Sequence, residues 1–229
     1  MAHWIKLAFT TGEPLFEFDD APENILRFGL SLGLPIGPGR LPTRAHETIG
    51  RKSLPDIFPM PGLNAVSRKF REIVEEFEPR VHQFFPLDLF YKNGQPVEDE
   101  YFIFNCTISL DSIIVDQSDI YWLKLDSPNE YPRLRIGWRD RLVLSRAAIA
   151  SHHLWCGARI RHTGILVSDE FHARLKQSKF KYFDSFFLKE VDSIWIAEEN
   201  IHPILEKEKQ TGLEKGMIPW LKVNPNRLL

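Results

Sequence analysis

The residues best suited to chemistry in this chain are its eight histidines, two cysteines, a set of alternating arginines and one acidic cluster. His152 and His153 are neighbours, so on a strand they point to opposite faces and a single metal could not readily take both. His46 opens HETIG, which lacks the second histidine of a zinc-protease helix. No Cys-x-x-Cys pair exists, so zinc-finger and zinc-deaminase patterns are missing. The sequence implies no metal and no cofactor. Cys156 lies in HHLWCGARIRH, near His152, His153 and His162. A thiol and an imidazole can form a nucleophilic pair. The plainer reading is a small buried apolar residue beside Trp155. GLPIGPGR is not followed by the Lys-Ser/Thr of a phosphate loop, and there is no Gly-x-Ser-x-Gly elbow.

Arg133, Arg135, Arg139 and Arg141 recur at alternate positions around Trp138, and Arg159 with Arg161 repeats the pattern. On a strand such a stripe meets carboxylates or phosphates, or is simply a solvated face. Its acidic counterpart is VEDE, with Glu98, Asp99 and Glu100. Acidic loops steer basic partners, although many only confer solubility. The net charge of -2 supplies no global attraction to nucleic acid or to an anionic membrane. No apolar run approaches the roughly 18 residues of a membrane helix, and the start lacks a secretory signal pattern. Two cysteines are too few for a disulfide framework. A reduced, cytoplasmic setting is expected.

The elements that would position these groups follow from periodicity. WIKLAF and PLFEF read as two short strands, and APENILRFGLSLG as a helix with a partial apolar face. From Pro35 to Gly62, Pro and Gly break every turn, so this stretch reads as irregular chain, packed down because it is rich in Ile, Leu and Phe. A clear helix follows. Ser67 caps it, Phe70, Ile73, Val74 and Phe77 form its apolar face, and Pro79 ends it. VHQFFPLDLF and YFIFN read as paired strands with neither face polar, joined through Asn93-Gly94, with a bulge or an edge at Pro86. Their aromatics are read as buried.

SLDSIIVD, DIYWLKL, RDRLVLS and HLWCGARIR are further strand signals, and AAIA suits either a strand or a helix. A second capped helix starts at Ser168, with Asp169 and Glu170 at its positive end and Phe171 and Leu175 as an apolar pair. YFDSFFLKEV and SIWIAEE read as strands, and IHPILEKEKQTG as a short helix. Both capped helices begin Val-Ser-x-x-Phe, with Ser67 and Ser168 lying 101 positions apart. That echo admits either a duplication or one common local solution used twice.

Taken together, VSRKFREIVEEFEPRVHQFFPLDLFYKNGQPVEDEYFIFNC and HHLWCGARIRHTGILVSDEFHARLKQS resemble the two core blocks of a bacterial family of immunity proteins of polymorphic toxin and secretion systems. The likeness covers roughly Leu63 to Phe187. It implies a small cytoplasmic protein that binds a cognate secreted toxin domain and blocks it, and it carries no catalytic motif. The expected fold is α+β, with a mainly antiparallel central sheet and two capped helices packed against it. Residues 1–62 are expected to hold N-terminal strands, a helix and the packed loop, and residues 63–229 the immunity-like core with a C-terminal extension. One continuous domain is the other arrangement.

Charge and expected exposure, not the resemblance, single out Glu98, Asp99 and Glu100, with Trp138 and Arg139 as a second patch. A homo-oligomer is compatible with the sequence. Two other functions remain open. One is a small hydrolase that reverses a toxin's modification through Cys156 or a histidine. The other is an anion- or nucleic-acid-binding module built on the arginine stripe.

Overall fold

The structure, a computed structural model, describes residues 1–6, 14–21, 35–114, 117–122, 134–136, 141–157, 165–180 and 184–192. The stretches APENILRFGLSLG, SIWIAEE and IHPILEKEKQTG lie outside the described residues, apart from Ala21. The first sheet contains β2 (Phe16–Phe18), β3 (Arg44–Glu47), β4 (Ile57–Met60), β5 (Leu63–Ser67), β6 (Gln83–Phe90) and β7 (Tyr101–Asn105). The second contains β1 (Ala2–Lys6), β8 (Ser109–Leu110), β11 (Val143–Ser145), β12 (Leu154–Gly157), β13 (Ile165–Ser168) and β14 (Asp184–Val191). β9 (Ile120–Trp122) and β10 (Leu134–Ile136) form a separate antiparallel ribbon. The helices are α1 (Arg68–Phe77), α2 (Arg146–Ile149) and α3 (Asp169–Gln177).

The fold is therefore α+β, mostly sheet with few helices. It departs from the expected single, mainly antiparallel sheet. Among the described residues there are two six-stranded sheets, ordered β2-β3-β6-β7-β5-β4 and β11-β14-β1-β13-β12-β8. Three pairs run parallel: β3 with β6, β11 with β14, and β12 with β8. The two N-terminal strands part company, β1 entering the middle of the second sheet and β2 the edge of the first.

The stretch from Pro35 to Gly62 is packed down, with Ile36, Leu41 and Phe58 buried, but it is not irregular throughout. It holds β3 and β4. Pro59 argued against a strand, and it is tolerated because β4 is an edge. Pro86 has a similar explanation. β3 pairs with β6 only from Asp88 onward, so Pro86 has one strand neighbour. SLDSIIVD is not one long strand either. β8 is two residues, after which Ile113 bridges to Leu144 of β11. Ser145 N–H donates to Ser112 C=O at 2.7 Å, and Ile114 N–H to Val143 C=O at 2.9 Å. One short segment thus touches both edges of the second sheet, which must curl to allow it.

Each sheet wraps its own core. Phe58, Leu87, Leu89, Tyr101 and Ile103 fill the first, and Trp4, Leu144, Trp155, Leu166 and Leu188 the second. A third core lies between the sheets. It takes Phe102 and Phe104 from β7, Leu154 and Val167 from the second sheet, and the apolar faces of α1 and α3. The aromatics of β7 are thus buried against two different cores, one on each face, whereas Phe84 and Phe85 of β6 are only partly buried against those cores and Phe90 is half-buried. Ser67 Oγ accepts from Phe70 N–H at 3.3 Å and Ser168 Oγ from Phe171 N–H at 3.1 Å, so both caps form as expected. α2, the reading left open for AAIA, adds a third capped helix, with Ser145 as its cap.

The echo runs far beyond the caps. In the first sheet Ala65 pairs with Ile103, and Phe85 pairs with Ile103 from the other side. In the second, Leu166 pairs with Trp4, and Phe186 pairs with Trp4 from the other side. The outer parallel strand starts opposite Asp88 in one sheet and opposite Lys189 in the other. β3-β6-β7-β5-β4 and β11-β14-β1-β13-β12 are thus one unit used twice, in the same register. Phe70 and Phe171, the equivalent residues, meet edge to face at 6.3 Å, as residues beside a pseudo-twofold axis do.

Candidate functional site

The parallel pairing of β3 with β6 brings two connections to one end of the first sheet. His46 lies beside Phe90, so the chain leaving β3 and the chain leaving β6 emerge together. β2 is antiparallel to β3, with Phe16 opposite Glu47, and this adds Leu15 to the same rim. α1 also starts at this end, because Ser67 pairs with Tyr101 at the beginning of β7.

The acidic loop is built rather than loose. Tyr91 N–H donates to Gln95 C=O and Gly94 N–H to Tyr91 C=O, both at 2.8 Å. Gly94 sits at φ 82, where a side chain would be strained. Val97 N–H returns to Leu89 C=O at 2.8 Å, and the Tyr101 hydroxyl donates to Pro55 C=O at 3.1 Å, tying the two connections together. Burial pushes the Tyr101 phenol well above its ordinary range, helped by Asp99 and Asp56. Glu98, Asp99 and Glu100 are all exposed. Glu100 is held by Arg68, whose Nε donates to Oε2 at 2.8 Å, and this hydrogen bond lowers the Glu100 carboxyl below its usual range. Among the described residues Glu98 and Asp99 have no hydrogen-bond or ion-pair partner. Trp138 and Arg139 lie outside the described residues, as do Arg133, Arg159 and Arg161. Arg141, at the end of that stripe, pairs with Asp119.

A feature the sequence reading missed adjoins this loop. Glu47 is fully buried, and its carboxylate accepts from Ile49, Gly50 and Arg51 N–H at 3.0, 2.6 and 3.1 Å. HETIG falls short of a zinc motif but carries another pattern. A glutamate three residues before a glycine was the available signal.

The chemistry-bearing residues elsewhere are drawn into structural roles. Glu78 caps α1 and accepts from His153 N–H at 2.6 Å, Leu154 N–H at 3.4 Å and His82 Nε2 at 2.5 Å. His82 Nδ1 accepts from Thr107 N–H, which leaves Nε2 to donate to Glu78. Burial opposes the charged form of Glu78, yet these hydrogen bonds outweigh it and hold the carboxyl below its ordinary range. His153 Nδ1 meets Ser168 Oγ at 2.8 Å. Cys156 is buried beside Cys106, and burial together with this neighbour drives the Cys106 thiol far above its usual range. Among the described residues no imidazole hydrogen-bonds either thiol, so the Cys/His pairing read from the sequence is not assembled there. Nor does any group of three His, Cys, Asp or Glu among them suit a metal.

One more cluster lies on the second sheet. His3 stacks on His172 at 3.7 Å, with Asp169 on His3 and Ser185 on His172, both at 2.8 Å. Burial and the stacked His3 pull His172 down to about 4.

The family model described as "Immunity protein family (Imm11)" matches residues 35–191, well over half of the chain. The chain belongs to this immunity protein family. No curated protein matches it. The Imm11 match contains both connections of the rim, α1, α3 and the strands around them, and it extends the span read from the sequence at both ends. It starts after β1 and β2, although β1 is a central strand of the second sheet. Among the described residues no helix of this Imm11 protein is long and apolar enough to cross a membrane.

Proposed function

We propose that this protein binds a cognate bacterial toxin domain and neutralises it by covering its active or substrate site, without making or breaking covalent bonds. Membership of the immunity family over residues 35–191 carries the reading. The burial of both cysteines, with histidines committed to Glu78 and Ser168, is in keeping with it. A specific interface buries on the order of 1,200–2,000 Å² in total, enough to close a toxin's cleft. Glu98 and Asp99 would steer a basic toxin surface, Glu100 would be shared with Arg68, and Trp138 with Arg139 would form a second patch. The toxin would be met in the cytoplasm.

The chain would act as one continuous unit, since strands from residues 1–62 pair directly with strands from 63–229: β1 with β13 and β14, β3 with β6, and β4 with β5.

Co-expression tests this. The protein should rescue growth from one toxin, encoded beside it, and not from that toxin's relatives. It should also co-elute with the toxin in a fixed ratio. Full rescue by substoichiometric protein with no lasting complex would refute occlusion.

A further inference from the structure

The geometry points to the turn at residues 48–52 as a pre-formed anchor for an acidic surface on the toxin. This rests on the immunity reading and names the face that reading would use.

A carboxylate is seldom taken out of water unless hydrogen bonds compensate it. Glu47 is fully buried, and three successive backbone N–H groups close around it. The effect is to fix the path of Ile49, Gly50 and Arg51 before any partner arrives. Gly50, at φ +88, permits that path, and nothing lies within 4 Å of where its Cβ would be. Thr48 N–H donates to Leu15 C=O at 2.8 Å, tying the turn to the neighbouring strand. A turn fixed in advance loses little freedom on binding.

What the turn presents is unusual for a solvated loop. Ile49 is 45% exposed and Leu15 is 54% exposed. Arg51 and Lys52 are exposed beside them, and among the described residues neither has a carboxylate partner. The other half of the molecule supplies a control. There the connection after β11 is α2, and its basic residue, Arg146, is satisfied internally by Glu190 and Asp192. Two cations with no carboxylate partner among the described residues, beside an apolar knob, fit a partner with carboxylates around an apolar hollow.

Binding to the neighbouring toxin tests this by calorimetry. Arg51→Glu with Lys52→Glu should raise Kd by about 100-fold at low salt, with the difference shrinking as salt is raised. Ile49→Asp should raise it by about tenfold. These side chains are exposed, so the melting temperature should not move. Gly50→Ala, which strains the turn, should also weaken binding. If the wild type binds the toxin and the charge-reversed and Ile49 variants bind equally well, the turn is not the anchor and the immunity reading stands. If the wild type binds no toxin, both fall. If the wild type instead binds generic RNA or DNA through Arg51 and Lys52, the acidic-protein partner is overturned.

Discussion

The two halves of this molecule share a register and differ in how each is completed. In the first half the middle strand, β7, follows β6 directly in the chain. In the second half β1 fills the same place, arriving from far away in sequence. Arg68 N–H donates to Glu100 C=O at 2.9 Å, and its equivalent, Asp169 N–H, donates to Met1 C=O at 2.8 Å. The backbone arrangement is the same although the chain connectivity is not. Sheet geometry depends on which strands are side by side, not on how they are joined.

The edges tell the opposite story. In the second half Cys156 N–H donates outward to Ile108 C=O at 2.9 Å, next to the parallel pairing with β8. The register places Pro59 at the equivalent position of β4. Proline has no N–H to offer, so the first half cannot hold such a strand there, and its edge is protected from stray pairing. Packing over the helices diverges as well. Arg71 lies over Phe84 and Phe102 in the first half, where the second half has His172 with Ser185 and His3.

The comparison can be broken most forcefully at the middle strands. Ile5 and Phe104 are equivalent and face the core between the sheets. Ile5→Asp should destabilise as severely as Phe104→Asp, by more than about 4 kcal/mol, because each buries an unpaired charge. Denaturant unfolding should show one transition lost in both. A folded first half surviving Ile5→Asp would show that the halves are independent.

The pseudo-axis comes next. Phe70→Ala and Phe171→Ala should each cost about 3–5 kcal/mol. Because the rings touch, the double variant should fall short of additivity by roughly 0.5–1.5 kcal/mol. Full additivity in a double-mutant cycle would mean that the contact is not energetically shared.

Glu78 has no carboxylate counterpart in the second half, where Lys179 holds the equivalent position. Glu78→Gln should cost about 2–3 kcal/mol, as it weakens hydrogen bonds to a charged acceptor. Its folded pKa lies below the unfolded value. Its contribution is therefore present above the unfolded carboxyl pKa and is lost as pH falls through the folded one. Acid titrations of stability should show a shallower decline below about pH 4.5 in the variant than in the wild type.

The smallest effect is the sharpest test of equivalence. Ser67→Ala and Ser168→Ala each remove a helix cap, and each should lower stability by about 1 kcal/mol. Asp56 accepts from the Ser67 hydroxyl, and His153 contacts Ser168 in the same place. Unequal losses would measure that exchange of partner.

Both capped helices, the alternation along β6 and β7, and the aromatic strand after each helix were legible in the sequence, because each is set by neighbours a few residues away. β3, β4, β5 and β13 were not, since strands of four or five residues, one of them holding Pro59, carry no clear local period and exist through their partners. The Cys156 and histidine cluster pointed to chemistry only by closeness in sequence. In space the imidazoles of His152 and His153 meet Glu78 and Ser168 instead, and His162 lies outside the described residues. Glu98, Asp99 and Glu100 could be named as an acidic loop, but Arg68 as the partner of Glu100 could not.

The sequence by itself determined the local grammar: where helices start and stop, which side chains share a face, and a family likeness carried by the order of motifs. Only the tertiary structure decided that the Ser-capped echo is a repeated unit, that β1 completes its second copy, and that Glu47 is buried under an exposed turn. Those facts depend on contacts between residues far apart in the chain, and a pattern of near neighbours does not encode which distant strand will supply the missing hydrogen bonds.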